Sequence, residues 1–263
     1  PLVFTFANNP LSHLRPEICP PEVMSREQRL DARADAGAKA CVMVPFDAAL
    51  AAVPAEEFVE RVVGDLLRVR HICVGTDFRF GHRGAGDVKL LVRMGERLGF
   101  SVDVIGNVED EELGRVSSSR VREAILQGDV ETAARMMDRP VAVRGEVVHG
   151  DARGRDLGFP TANLGGRIEG LVPADGVYAG WALVRGARYQ AAISVGVNLT
   201  FHPGGEARVE AYLLDFEGDL YGERIEVQFA ERLRGMVAFS GVQALVERIR
   251  EDVRETRAVL IGR

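Results

Sequence analysis

Short, continuous apolar runs alternate with helical patterns from Leu2 to about Gly106. Leu2–Phe6, Cys41–Val44, His71–Gly75 and Ser101–Ile105 read as strands that carry no polar alternation. Between them lie amphipathic stretches. Ser25 followed by Gln28 is a capping box, and Leu30 and Ala34 continue the apolar face behind it. Glu56–Leu67 places Phe58, Val62, Val63 and Leu66 on one side. Asp87 caps a helix bearing Leu90, Leu91, Met94 and Leu98, which Gly99 ends. Apolar strands each followed by a helix predict an α/β domain with a parallel sheet covered on both faces. Ligands of such a sheet sit at the carboxyl ends of the strands. Two shorter helices follow. Ser117 or Ser118 opens the first, with Val121 and Ile125 inward and Gly128 behind; Asp129 opens the second, which stops before Pro140.

The grammar changes after Pro140. Strand patterns recur at Val141–Val148, Val177–Val184, Tyr189–Val197, Val209–Phe216 and Glu223–Phe229, with no helix between them. In the last, Ile225, Val227 and Phe229 share one face and Glu226 and Gln228 the other. This predicts an antiparallel barrel or sandwich of roughly 100 residues. One helix closes the chain, with Ser240 and Gln243 as its cap and Val242, Leu245, Val246, Ile249 and Val253 inward. The change of pattern divides the chain into domains 1–138 and 139–263.

Composition narrows the classes. A net charge of −6 offers no basic footprint for nucleic acid. No apolar run approaches about 18 residues, so no membrane span is expected. Cys19, Cys41 and Cys73 are too scattered for a disulfide framework or a zinc cluster. Two of them sit in apolar runs and read as buried small hydrophobes in a reduced, cytoplasmic protein. A strand opens at once after Pro1, with no charged leader, so further residues are expected upstream. The oligomeric state is left open.

Candidate chemistry concentrates in His149–Leu164, where Gly150, Gly154 and Gly158 recur every four residues. Such spacing lets backbone approach an anion closely, and Arg153 and Arg155 can face phosphate oxygens. Past Pro160, Thr161 and Asn163 alternate onto one side of an extended segment. Two oxygen donors of this kind suit Mg²⁺ on a nucleotide. The segment reads equally as a glycine-rich turn followed by an edge strand. It is not a Walker A loop, because the Gly-Lys-Ser/Thr ending is absent. Glu210 interrupts the apolar strand Val209–Phe216 and shares a face with Tyr212 and Leu214. A carboxylate there either faces solvent or serves as the base that takes a hydroxyl proton in phosphoryl transfer.

Two further stretches stand out in the first domain. Gly75–Gly81 follows a strand directly and carries Asp77, Phe78 and Phe80, either packed aromatics of a turn or a platform for a flat ring. Ser117, Ser118, Ser119, Arg120 and Arg122 open a helix, whose N-terminus is a ready anion site.

Three segments, His149–Leu164, Pro173–Gly180 and Val209–Gly222, together resemble the riboflavin kinase module of bacterial bifunctional riboflavin kinase/FAD synthetases. The resemblance implies a six-stranded barrel with a terminal helix, Mg-ATP held by Thr161 and Asn163, and Glu210 as base toward the ribityl 5′-hydroxyl. The family usually carries proline at the position of Leu199. The first domain resembles the FMN adenylyltransferase module of the same family, a Rossmann-like nucleotidylyltransferase. That implies ATP phosphates on Ser117, Ser118, Ser119 and Arg122, and a flavin side lined by Asp77, Phe78 and Phe80. The family's Pro-His-Pro reads Asn8-Asn9-Pro10 here, so Asn9 stands where a histidine would, and the His-x-Gly-His motif is absent from the sequence. The implied activity is ATP-dependent phosphorylation of riboflavin, or a close analogue, to FMN, with adenylylation of FMN to FAD in the first domain. Its partners are the small molecules riboflavin, FMN and ATP. Two alternatives remain: a monofunctional flavin kinase with a degenerate first domain, and a non-catalytic flavin- or nucleotide-sensing protein.

Overall fold

The structure is a computed structural model that describes residues 1–150, 154, 157–196 and 208–263. Arg153, Arg155 and the Asn198–Phe201 stretch with Leu199 lie outside the described residues. The chain divides into two compact units, Pro1–Pro20 with Leu30–Val116, and Pro21–Arg29 with Ser117–Arg263.

In the first unit, β1 (Leu2–Phe6) pairs in parallel with β2 (Ala40–Val44). Likewise β3 (His71–Gly75) pairs in parallel with β4 (Ser101–Ile105). The parallel pairing agrees with the α/β pattern. Among the described residues, however, the two pairs are separate sheets. Nor is β3 covered on both faces. Ile72 and Val74 pack on a core of Val59, Val63, Phe80, Leu91, Met94 and Phe100, whereas His71 and Cys73 are exposed. The core helices are α4 (Ala55–Phe58), which continues as a π-helical stretch over Val59–Leu66, and α5 (Val88–Leu98). Asp87 caps α5 as its sequence predicts, accepting from Leu90 N at 2.8 Å. That backbone bond also holds the Asp87 carboxyl below the usual carboxylate range. Gly99 ends α5 with φ +82°. The preceding short helices are α1 (Leu11–Leu14), α2 (Arg26–Asp35) and α3 (Ala48–Ala51).

The segment Pro21–Arg29 belongs to the second unit because its capping box is tied there. Ser25 N donates to Gln28 Oε1 (2.8 Å) and Gln28 N to Ser25 Oγ (3.2 Å). The buried Gln28 amide then reaches Ala142 O (2.9 Å), and Ser25 Oγ reaches Glu169 Oε2 (3.0 Å). α6 (Ser118–Gln127) and α7 (Val130–Met137) also fall in this unit. Ser117 is the cap of α6, accepting from Arg120 N, and Asp129 caps α7.

A short antiparallel pair, β5 (Glu109–Asp110) and β6 (Gly114–Arg115), precedes α6. The second unit then builds a closed barrel from β7 (Val141–Val148), β8 (Ala162–Glu169), β9 (Gly176–Val184), β10 (Ala187–Gly196), β11 (Arg208–Leu213) and β12 (Arg224–Arg234). Its strand order is β10-β11-β8-β7-β12-β9. The period-2 pattern decides which residues fill it. Val143, Tyr178, Ile193, Ala211, Val227 and Phe229 are all fully buried. β9 is apolar on both faces because its outer side also packs: Ala179 and Trp181 meet Leu260 of α8 (Val242–Leu260).

Three expectations need correction. The cap of α8 is Gly241, with no side-chain bond, rather than Ser240. Of its expected inward residues, Leu245, Val246, Ile249 and Val253 are half-buried and Val242 is exposed, while the most buried positions are Asp252, Thr256 and Leu260. The polar choice has a partner to explain it, since Arg234 of β12 grips both Asp252 oxygens at 2.8 and 2.6 Å. Finally, Cys41 is half-buried and Cys73 exposed, so neither is a core thiol. Among the described residues no helix is long and apolar enough to cross a membrane.

Candidate functional site

The barrel's outer face brings three of the expected residues together. β11 pairs with β8 so that Glu210 lies directly opposite Asn163, and with β10 so that Glu210 lies opposite Ser194. Cross-strand partners share a face with Cβ atoms about 5 Å apart. Thr161 immediately precedes β8, on the same side as Asn163 by alternation. Asn163 Nδ2 donates to Thr161 O (3.2 Å) and to Thr161 Oγ1 (3.4 Å). This turns the amide nitrogen toward Thr161 and leaves Oδ1 as the atom that can face a cation. Glu210 and Asn163 are half-buried, on a strand whose Val209, Ala211 and Leu213 fill the barrel interior.

Each of the three glycines is required by a local contact or turn. A Cβ on Gly150 would stand 2.7 Å from Cγ, Nδ2 and Oδ1 of Asn163. On Gly154 it would lie 2.4 Å from Phe159 O, the residue whose N–H bonds back to Gly154 O at 2.7 Å. Gly158 has φ +83°, a left-handed conformation that favours glycine. Gly154 and Phe159 are thereby held together just ahead of Pro160 and Thr161, which lead into β8.

Two aromatic contacts frame the site, and neither was legible in the sequence. Phe159 meets Tyr212 edge-on at 5.4 Å, one alternate position from Glu210. His149 stacks on Tyr221 at 3.7 Å. No periodicity links residues so far apart in sequence; only barrel closure does. On one side of Thr161 lies a cleft of about 70 Å³ walled by Val147, Pro160, Leu213, Phe216 and Leu220. Past Phe159, a groove of about 520 Å³ opens against α8 at Glu247, Arg250, Glu251, Val253 and Arg254.

The other candidate residues are distributed over both units. In the first, Asn9 Oδ1 accepts from Leu11 N (3.0 Å) and starts α1, while Asn8 bonds Phe46 through both its amide atoms. Asp77 is exposed, with Arg115 at 3.8 Å. Phe78 and Phe80 stack at 5.5 Å, and Phe80 is buried in the core. The turn after them needs its glycine, because a Cβ on Gly81, at φ +73°, would fall 2.3 Å from Ala55 Cα. In the second unit, Ser117, Ser118 and Ser119 open α6, and Arg122 Nε donates to Pro21 O at 2.7 Å.

Comparison with known proteins accords with both halves. Residues 137–260 match the riboflavin kinase family and residues 1–120 the FAD synthetase family. A bifunctional riboflavin kinase/FMN adenylyltransferase of Pseudomonas fluorescens is 36% identical, over 98% of this chain and 82% of its own length. One from Listeria monocytogenes is 30% identical over 97% and 81%. A solved chain described as a macrolide-efflux protein from Streptococcus pneumoniae shares the fold. Its TM-score is 0.84 at 33% identity, over 97% of this chain and 83% of its own. The chain therefore belongs to the family of bifunctional riboflavin kinase/FMN adenylyltransferases.

Proposed function

We propose that the barrel transfers the γ-phosphate of ATP to the 5′-hydroxyl of riboflavin, giving FMN and ADP, with Glu210 as the base. The observation that carries this reading is the register that sets Glu210 opposite Asn163, two residues beyond Thr161. Phosphoryl transfer asks the protein chiefly to position the partners, to stabilise charge and to accept the hydroxyl proton. Glu210 takes that proton as the ribityl oxygen attacks phosphorus. Thr161 Oγ1 and Asn163 Oδ1 are hard oxygen donors, the kind that Mg²⁺ accepts alongside phosphates and water. Mg²⁺ held there with ATP would supply charge neutralisation for the transfer. Gly150, Gly154, Gly158 and Pro160 bring backbone close to the triphosphate.

The first module adenylylates FMN: its phosphate oxygen attacks the α-phosphorus of ATP, and pyrophosphate leaves. Ser117, Ser118, Ser119 and Arg122, at the start of α6, are the residues assigned to the triphosphate, and Asn9 stands at the position of a family histidine. Asp77 and Phe78 face the flavin, with Phe80 supporting Phe78 from the core. By function the chain is divided into residues 1–138 and 139–263, although Pro21–Arg29 and Ser117–Asp138 pack within the barrel unit. A cytoplasmic location, with ATP at hand and thiols reduced, goes with this assignment. Thr161, Asn163 and Glu210 together weigh against a sensor, since binding alone does not need a base.

The test is Glu210→Gln in FMN formation with ATP and Mg²⁺. Loss of a general base lowers kcat by roughly 10²-fold or more, with riboflavin affinity little changed. Turnover like that of the unmodified chain would remove Glu210 from the mechanism.

A further inference from the structure

The exposed face of the β3–β4 pair carries a donor set that neither reaction uses. Parallel register sets His71 opposite Ser101 and Cys73 opposite Asp103. His71 and Cys73 are two residues apart on one strand, so all four side chains project from the same face. His71 Nε2 lies 3.4 Å from Cys73 Sγ and 3.2 Å from Asp103 Oδ2. The nitrogen, sulfur and oxygen all fall within 4.8 Å of one another.

These separations can be compared with what a metal would require. Zinc sits about 2.0–2.1 Å from histidine nitrogen, 2.3 Å from thiolate sulfur and 2.0 Å from carboxylate oxygen. At the tetrahedral angle those bonds set nitrogen and sulfur about 3.6 Å apart, and nitrogen and oxygen about 3.3 Å apart. Both observed distances lie within about 0.2 Å of these values. One imidazole nitrogen serves both contacts. A single ring N–H or lone pair cannot point squarely at two atoms, but a metal between the three groups satisfies all of them at once. The other ring nitrogen is already engaged, as Nδ1 meets Ser101 Oγ at 2.7 Å. Anchoring of this kind fixes the ring and leaves Nε2 for the metal, as is usual around ligating histidines. The donors stand on paired strands backed by a packed core, so little ordering is left to the ion.

We propose that His71, Cys73 and Asp103 form a binding site for a zinc-class divalent cation, with Ser101 positioning the histidine. Mixed nitrogen, sulfur and oxygen ligation selects Zn²⁺ or Co²⁺ over Mg²⁺. The site is therefore chemically separate from the all-oxygen set of the barrel. Three protein ligands leave a fourth tetrahedral position to water or an added ligand.

Titration of the full chain with Co²⁺ tests this. One equivalent should give d–d bands of tetrahedral intensity and a near-ultraviolet thiolate-to-metal charge-transfer band, both displaced by Zn²⁺ and untouched by excess Mg²⁺. Cys73→Ser should abolish the charge-transfer band, and Asp103→Ala should weaken binding. Ser101→Ala should weaken it about 10- to 100-fold, as loss of an anchoring partner does. A far-ultraviolet circular-dichroism melt of each metal-free variant, compared with that of the unmutated chain, reports whether the first unit is still folded. In the unmutated chain, Zn²⁺ should slow alkylation of Cys73 while leaving Cys19 and Cys41 unaffected. A charge-transfer band that survives Cys73→Ser, or no such band in the unmutated chain, would overturn the proposal. So would Cys73 alkylation at an unchanged rate in the presence of Zn²⁺.

Discussion

Gly150→Ala tests the proposed kinase site by pressing on the Asn163 amide while leaving the Thr161, Asn163 and Glu210 side chains themselves in place. Gly150 lies outside the left-handed region, so alanine meets no backbone strain of its own. The new methyl would stand 2.7 Å from three atoms of the Asn163 head group, about 0.7 Å inside ordinary contact. Asn163 must retreat or rotate, and its bonds of 3.2 and 3.4 Å to Thr161 then open. Misplacing a positioning group by about 1 Å can cost 10²-fold in rate. A shift of this size should therefore lower kcat/KM for ATP about 10- to 100-fold, equivalent to about 1.4–2.7 kcal/mol of transition-state stabilisation. The assay is FMN formation at varied Mg-ATP with saturating riboflavin, alongside riboflavin binding, which should hold. Asn163→Ala provides the second leg of a double-mutant cycle. Because the methyl acts through Asn163, the double variant should be no worse than Asn163→Ala alone, a large departure from additivity. Strictly additive losses, or a Gly150→Ala enzyme with unaltered ATP dependence, would refute the reasoning.

Three further outcomes are expected. Arg122→Ala should depress FAD and pyrophosphate release while FMN formation persists; equal loss of both would assign Arg122 to folding. Asp252→Ala leaves Arg234 and Arg248 facing a gap where a nearly buried carboxylate bound both. It should cost about 3 kcal/mol, read as a lowered denaturation midpoint, and a loss below 1 kcal/mol would show the network to be dispensable. Burial works to raise the Glu169 carboxyl, but bonds from Arg224 and Ser25 outweigh it and hold it below the usual range. A depressed carboxyl stabilises the fold above its unfolded pKa of about 4.3 and loses that contribution as pH falls through the lower folded value. The Tm gap between the unmodified protein and Glu169→Gln should thus be full near neutrality and close in acid; a pH-independent gap would contradict the assignment.

Much of the fold was legible because local rules sufficed. The Ser25/Gln28 box, the Asp87 and Asp129 caps, and the ends at Gly99 and Gly128 are contacts within a few residues. The period-2 alternation of Ile225, Val227 and Phe229 named the barrel interior, since each strand has one face toward the core. Glu210 stood out because it interrupts an apolar strand, and Thr161 and Asn163 because alternation puts two oxygen-bearing side chains on one side of an extended segment. On α8 the apolar pattern named half-buried Leu245, Val246, Ile249 and Val253 but also exposed Val242, and it passed over Asp252, whose pairing with Arg234 and Arg248 buries a charge. No rule of local periodicity anticipates a partner that arrives from another strand.

The sequence by itself determined the change from strand-helix to all-strand grammar, most of the helix caps and the barrel-filling faces. Register belongs to the tertiary structure. It set Asn163 against Glu210, Phe159 against Tyr212 and His149 against Tyr221. It also turned a scattered histidine, cysteine and aspartate into one exposed cluster. The physical reason is that periodicity records which face of a strand is buried, while the neighbour it meets depends on hydrogen bonding between strands remote in the chain.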